Sequence, residues 1–285
     1  MKEIKRRTEN LIYNIVVKTS TSGYAKDSFH LDYEKTKYRQ SDLVKLIRDT
    51  VLFFALTPEE LSKINAETVH KFQKRAWKRI SDRPKEKKGD YGELLLFLIL
   101  EVFYPARKLV TKVRLRSSMG DEIKGFDCAH FSIDDNDEIC LWLGEAKFHQ
   151  SFSTAINKAV ASLNEHLSGK TLKDEISILE GNNTEIDEAT REKIENYLNS
   201  GISLDKMKFK IPTLLTFDSN VVKSHKEVCD KFIDDLEIEL KSKYLTIDKN
   251  SISLSPNVEL QFILFPLETI ASIKEELENI EKANK

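Results

Sequence analysis

Cysteine is scarce in this sequence: Cys128, Cys140 and Cys229 are the only three in 285 residues, and they lack metal-type spacing. So few and so scattered a set argues against a disulfide framework or a zinc cluster. Cys128 and Cys140 fall in apolar, strand-like runs, where a thiol acts as a small buried hydrophobe. The reducing cytoplasm is the compartment that fits. Long apolar runs are also missing. The longest, Leu94 to Leu100, is closed by Glu101 and falls short of the roughly 18 residues a membrane span needs, so no membrane partner is expected. The opening MKEIKRRTEN is basic, but the apolar stretch after it, Leu11 to Val17, is short and lacks the cleavage site of a secretory signal. No Gly-x-x-x-x-Gly-Lys loop occurs, which argues against ATP hydrolysis by this chain. Internal repeats and low-complexity tracts are absent.

What is present is an ordinary globular composition, 40% hydrophobic and 32% charged, with room for one large domain or a core with an appended piece. The net charge of -2 conceals an asymmetry. Residues 1–120 carry 26 Lys+Arg against 15 Asp+Glu, and residues 121–285 carry 19 against 32. A basic half is what a phosphate-binding surface requires, although a solvated basic surface produces the same count. The densest stretch, Lys71 to Lys88, holds nine Lys/Arg in eighteen residues with Phe72 and Trp77 interleaved. Lys74, Arg75, Lys78 and Arg79 are its candidate nucleic-acid contacts. Trp77 is a candidate for stacking on a base, or for packing an amphipathic helix.

Periodicity places the elements. After a short β-branched run at Leu11–Val17, Ser41 reads as the N-cap of a helix with Leu43, Leu46, Ile47, Val51 and Phe54 on one face. Thr57-Pro58-Glu59-Glu60 has the form of a helix start, and a further helix is expected from about Glu67 to Ile80. Ser81-Asp82-Arg83-Pro84 breaks it. The main boundary is placed there: a basic, mainly helical N-terminal region over residues 1–85, then a second domain over 86–285 with helical additions at its C-terminal end. In that domain Asp90–Phe103 reads as a buried helix ended by Pro105. Lys108–Arg116, Glu122–Ile133 and Glu138–Phe148 read as three strands, the last two joined by a polar turn at Asp134–Asp137. Ser151 or Ser153 then caps a helix. A polar, mostly helical stretch follows, then a strand at Met207–Phe217 in which Pro212 argues for an edge position or an interruption. Val221–Leu245 reads as one long helix, Val258–Phe265 as a strand and Leu267 onward as an amphipathic helix. The order predicts an α/β fold with a mixed sheet flanked by helices.

The chemistry gathers on the hairpin. Glu145 and Lys147 alternate with apolar neighbours, so both face the way Leu141 and Leu143 do. Burying an acid and a base there is costly unless they serve a purpose. They can pair with each other, but a neighbouring hairpin strand can bring Asp127 beside Glu145, and one lysine does not neutralise two carboxylates. A hard divalent cation such as Mg²⁺ resolves the surplus, with the Ala146 carbonyl as a further oxygen ligand. Lys147 can then stabilise charge developing on a phosphate.

Asp127 followed one hairpin later by Glu145-x-Lys147, with Glu93 on the preceding helix, resembles the PD-(D/E)xK nuclease superfamily. The resemblance implies a restriction-endonuclease-like core over Asp90–Phe217 and a DNA-cutting activity. Asp127 and Glu145 would hold Mg²⁺, with Mn²⁺ as a substitute. Lys147 would assist the attacking water, and Glu93 would complete the site. Gly125-Phe126-Asp127 stands where the superfamily has Pro-Asp. A bare Glu-x-Lys also occurs at Glu3-Ile4-Lys5, Glu86-Lys87-Lys88 and Glu122-Ile123-Lys124, so the signal lies in the hairpin spacing and flanking helices. Gly92-Glu93, Gly125-Phe126-Asp127 and Gly144-Glu145-Ala146-Lys147-Phe148 together are similar to the HamA family, nuclease subunits of Hachiman anti-phage defence. That narrower resemblance implies a DNase restrained by a helicase subunit. Lys158, on the helix after the third strand, is a further candidate phosphate contact. His130 points away from Asp127 and reads as a core or surface histidine. Two other functions stay open: a catalytically silent nuclease-like scaffold, and an RNase, since no motif here reports a 2′-hydroxyl contact.

Overall fold

A computed structural model describes residues 1–17, 23–81, 90–111, 125–179, 186–199 and 201–284. The N-terminal region is helical, as its periodicity predicts: α1 (Lys2–Glu9), α2 (Gln40–Ala55), α3 (Pro58–Ser62) and α4 (Val69–Ser81). It also contains β1 (Ile12–Asn14), β2 (Ala25–Leu31) and the two-stranded ribbon β3 (Tyr33–Glu34) and β4 (Lys37–Tyr38). Thr57 and Glu60 form a reciprocal capping box with Pro58 at the start of α3. Ser41 does not cap α2. That helix begins at Gln40 after Arg39, without a side-chain cap, and the Ser41 hydroxyl donates instead to Glu276 at 3.2 Å.

The second half runs α5 (Asp90–Phe103), β5 (Arg107–Thr111), β6 (Cys128–Ile133), β7 (Ile139–Phe148), α6 (Phe152–His166), α7 (Gly169–Leu179), α8 (Glu188–Asn199), β8 (Lys208–Asp218), α9 (Asn220–Ser224), α10 (Asp230–Asp248), β9 (Val258–Leu267) and α11 (Ile270–Asn284). Ser151 rather than Ser153 caps α6. The strand expected over Lys108–Arg116 is observed as β5, and that over Glu122–Ile133 as β6 from Cys128. Residues 112–116 and 122–124 lie outside the described residues. The long helix expected over Val221–Leu245 is two helices. His225 leaves helical geometry at φ -96, ψ 164, and its ring turns to Asp235 (2.9 Å) and Phe232. No described helix is long and apolar enough to cross a membrane.

Seven strands form one mixed sheet in the order β1-β2-β9-β8-β7-β6-β5. β2, β9, β8 and β7 run parallel to one another, while β1 pairs antiparallel with β2, β6 with β7 and β5 with β6. β8 and β9 are covered on both faces and are almost continuously buried, as parallel strands require. Pro212 therefore lies not at an edge but in a central strand, and the interruption is what occurs. The ladder from β7 to β8 passes from Trp142↔Lys210 to Glu145↔Thr213, skipping Ile211 and Pro212, while Pro212↔Gln261 stays paired on the β9 side. The missing proline N–H thus weakens the sheet beside Glu145.

The boundary expected at residues 85–86 lies outside the described residues. Elements from either side of it share the sheet, because β2 pairs with β9. They also share the core, where Phe54 of α2 meets Phe97 of α5 with ring centroids 5.5 Å apart. α5 is buried all round from Tyr91 to Leu100, the pattern of a helix enclosed on every side.

Candidate active site

The β6–β7 hairpin aligns Cys128 with Gly144, so one residue further Asp127 stands across from Glu145. The Asp127 backbone N–H donates to the Gly144 carbonyl at 2.8 Å. Its carboxylate Oδ2 accepts from the Ala146 N–H at 2.9 Å. The turn at Asp134–Asp137 sets this register: Asp134 N–H donates to the Glu138 carbonyl at 3.1 Å, and Asp137 adopts a φ of 65°.

Alternation along β7 then sorts the side chains. Ala146 and Phe148 face α5, where a Cβ added at Gly92 would stand 2.9 Å from the Cβ of Phe148. A Cβ at Gly144 would stand 2.6 Å from the Cys128 sulfur. The glycines preceding Glu93 and Glu145 are therefore demanded by close helix–sheet packing. Glu145 faces α6, where its Oε1 accepts from Ser162 Oγ at 2.7 Å and from the Lys147 ammonium. Glu93, on α5, belongs to the opposite helical layer.

All three acids are buried, with 2% of Glu93, 8% of Asp127 and 2% of Glu145 exposed. Their fields overlap at Cys128, whose thiol is pushed well up by burial and then by Asp127, Glu93 and Glu145. Burial and then the Asp127 charge push the Glu145 carboxyl up; Lys147 and Ser162 pull it back. Asp127, Glu145 and Lys147 are thus brought to one end of the hairpin, with Glu93 on the α5 side. Among the described residues no three His, Cys, Asp or Glu side chains are arranged to hold an ion. Of the donors expected for a cation, Asp127 and Glu145 stand side by side, and water and phosphate oxygens would have to complete the set with the Ala146 carbonyl.

Three neighbours escaped sequence reasoning. Ser162 and His166 are i, i+4 neighbours on α6 and project to the same side. His166 Nε2 lies 4.0 Å from Glu145 Oε2, while its Nδ1 donates to Glu175 of α7 at 2.6 Å. Its ring packs on Phe126 at 4.8 Å. The available signal was a pair of polar residues on a face otherwise made of Ala155, Ile156, Ala159 and Leu163. Glu175 carried none. A double-mutant cycle on His166→Ala and Glu175→Ala is expected to give a coupling of about 1 kcal/mol or more, since each single change strands a buried polar partner. Additive unfolding energies in urea would contradict this.

The basic candidates divide. Lys74, Lys78 and Lys158 are exposed. Arg75 and Arg79 both pair with Glu60, and Arg79 also donates to the Ala55 carbonyl, so these two hold α4 against α3. Burial pushes the Glu60 carboxyl up, but Arg79, the Thr57 N–H and Arg75 override it and hold it at about 2. Trp77 is buried and packs the core, which removes it as a base-stacking residue. His130 is a core histidine, fully buried against Phe97.

Fold and site together define an α/β protein whose mixed sheet presents a buried carboxylate–lysine cluster at the end of an antiparallel hairpin. The family model for HamA matches residues 7–280, and the chain belongs to the HamA family. No curated protein matches it.

Proposed function

We propose that this HamA protein is a metal-dependent deoxyribonuclease of the PD-(D/E)xK type, the cutting subunit of a Hachiman anti-phage complex that works in the cytoplasm beside a helicase subunit. One observation carries the reading: two buried carboxylates, Asp127 and Glu145, face each other across a hairpin, with Lys147 beside Glu145 on the same side of the strand. A purely structural Glu–Lys pair needs no second buried acid beside it.

Asp127, Glu145 and the Ala146 carbonyl would hold Mg²⁺, or Mn²⁺ in its place. When bound, the ion would supply Lewis-acid activation of a phosphodiester and of the attacking water. Lys147 places a positive charge where the pentavalent phosphorus builds negative charge. Ser162 fixes one Glu145 oxygen by hydrogen bonding, and His166 stands at the other. Glu93 adds negative charge from the α5 layer. HamA membership supports the defence setting, and the exposed Lys74, Lys78 and Lys158 supply contacts for a DNA backbone.

The test is cleavage of supercoiled plasmid by the purified chain in Mg²⁺ and in EDTA, with Lys147→Ala alongside. Cutting that requires both the metal and Lys147 is the expected result. Silence of the chain alone, but cutting once a helicase partner and ATP are added, fits a restrained nuclease. Silence under every condition with DNA still bound would replace this reading with a scaffold.

A further inference from the structure

Glu175 lies on the apolar face of α7, in line with Leu172, Ile176 and Leu179, and only 8% of it is exposed. Its neighbour Asp174 faces solvent. A carboxylate among aliphatic side chains is costly unless its oxygens are bonded. Both oxygens of Glu175 are. Oε1 accepts from His166 Nδ1 at 2.6 Å, and Oε2 accepts a long hydrogen bond from the Phe126 N–H at 3.5 Å.

Each of these partners leads to one acid of the candidate site. Phe126 is covalently next to Asp127, and the chain enters this segment through Gly125 at a φ of 133°, which glycine alone adopts readily. The Phe126 ring packs on the His166 ring at 4.8 Å. His166 turns its other nitrogen, Nε2, towards Glu145 Oε2 at 4.0 Å. One turn earlier on α6, Ser162 donates to Glu145 Oε1 at 2.7 Å. The imidazole is thus held by Glu175 at one nitrogen and by Phe126 on its face, with Glu145 at the other nitrogen. α6 and α7 together bracket the end of the hairpin. Two carboxylates side by side repel, and a cation shared between them needs their oxygens held close in advance. Hydrogen-bonded groups behind ligating side chains supply such restraint.

We propose that Glu175 is a positioning residue for the candidate site: through His166 and the Phe126 N–H it holds Glu145 and Asp127 together, so that one divalent cation can bridge them. The cation rests on the nuclease reading. The bracket does not, because it consists of contacts within the chain. Glu175 acts only through its neighbours, and its effect reaches both strands of the hairpin at once.

The test uses the full chain without DNA and takes two readings. Mn²⁺ affinity is measured from the paramagnetic resonance signal of the free ion, and amide exchange at Phe126, Asp127 and Ala146 by mass spectrometry. The variants are Glu175→Ala, Glu175→Gln and His225→Ala. The glutamine keeps an oxygen for His166 Nδ1. His225 makes a similar contact with Asp235 at 2.9 Å, packed on Phe232 beside His30 of β2, and so controls for the loss of a histidine–carboxylate pair elsewhere. Glu175→Ala is expected to weaken Mn²⁺ binding by about 10- to 100-fold and to speed exchange at these amides by about tenfold or more. Glu175→Gln should return both readings to within about threefold of the wild type. His225→Ala should lower Tm and leave both readings unchanged. Wild-type Mn²⁺ affinity in Glu175→Ala would overturn the positioning role and leave the metal site standing. Unchanged exchange in that variant would overturn the bracket whatever the metal result. Faster exchange in Glu175→Ala, with a wild type that binds no Mn²⁺, would keep the bracket and remove the nuclease reading. Equal losses in His225→Ala would reduce Glu175 to a residue of general stability and also overturn the proposal.

Discussion

Asp127→Asn is expected to abolish plasmid cleavage, by at least about 10³-fold, while making the protein more stable. Both effects follow from one charge. The asparagine side chain is nearly the same shape, and its Oδ1 can still accept from the Ala146 N–H that now bonds Asp127 at 2.9 Å. What disappears is the negative charge that, after burial, is the largest influence raising the Glu145 carboxyl. A carboxyl whose folded pKa is raised binds its proton more tightly in the folded than in the unfolded chain. Its contribution to stability therefore falls as pH rises above the unfolded value near 4.5, and is fully lost above the folded value. Relieving that repulsion is expected to add about 1 kcal/mol at neutral pH, a rise of about 2–4 °C in Tm. The same substitution removes an anionic oxygen from the set that fits Mg²⁺, so the wild type should gain stability from added Mg²⁺ and the variant should not. Thermal melts with and without Mg²⁺, run beside the cleavage assay, check all three effects. A variant that is less stable and still cuts would sink the assignment of Asp127.

Such a trade would distinguish a functional site from a structural ion pair. The hairpin was legible because β6 and β7 are consecutive, joined by a short polar turn, and alternate clearly. Their register follows from local rules, and with it the juxtaposition of Asp127 and Glu145. α5 was legible from its unbroken apolar run. The addition of β2 beside β9 was not, because parallel partners more than 200 residues apart share no turn that would set them together. For the same reason Ser162, His166 and Glu175 went unseen: Ser162 and His166 meet Glu145, and Glu175 meets His166, only once α6 and α7 have docked. The capping box at Thr57–Glu60 was written in four residues, but nothing local said that Glu60 would also take Arg75 and Arg79 out of the basic surface. A charge count identifies a basic helix; only its neighbours decide which cations remain available.

Acid is expected to destabilise this protein through His130 well before its ordinary carboxylates titrate. The imidazole is completely enclosed, packed on Phe97 with ring centroids 5.8 Å apart. Burial and the Lys108 ammonium push its pKa down to about 3. The Glu101 carboxylate lies 3.7 Å from its Nε2, but a ring that is neutral at physiological pH makes that a polar contact and not an ion pair. The unfolded chain takes up a proton on this histidine below about 6.5, whereas the folded chain refuses it until about 3. Stability is thus fully present above the unfolded value and declines as pH falls through the interval, by about 1.4 kcal/mol per unit. At about pH 4.5 the loss from His130 is on the order of 2–3 kcal/mol. His130→Phe keeps an aromatic ring against Phe97 and cannot be protonated, so its unfolding energy in urea should vary with pH by that much less than the wild type's. Glu101, whose carboxyl is raised by burial, acts in the opposite direction and is present in both proteins, so the difference between them isolates the histidine. Equal pH dependence in the two proteins would show that the imidazole is reached by water and carries its charge in the folded state.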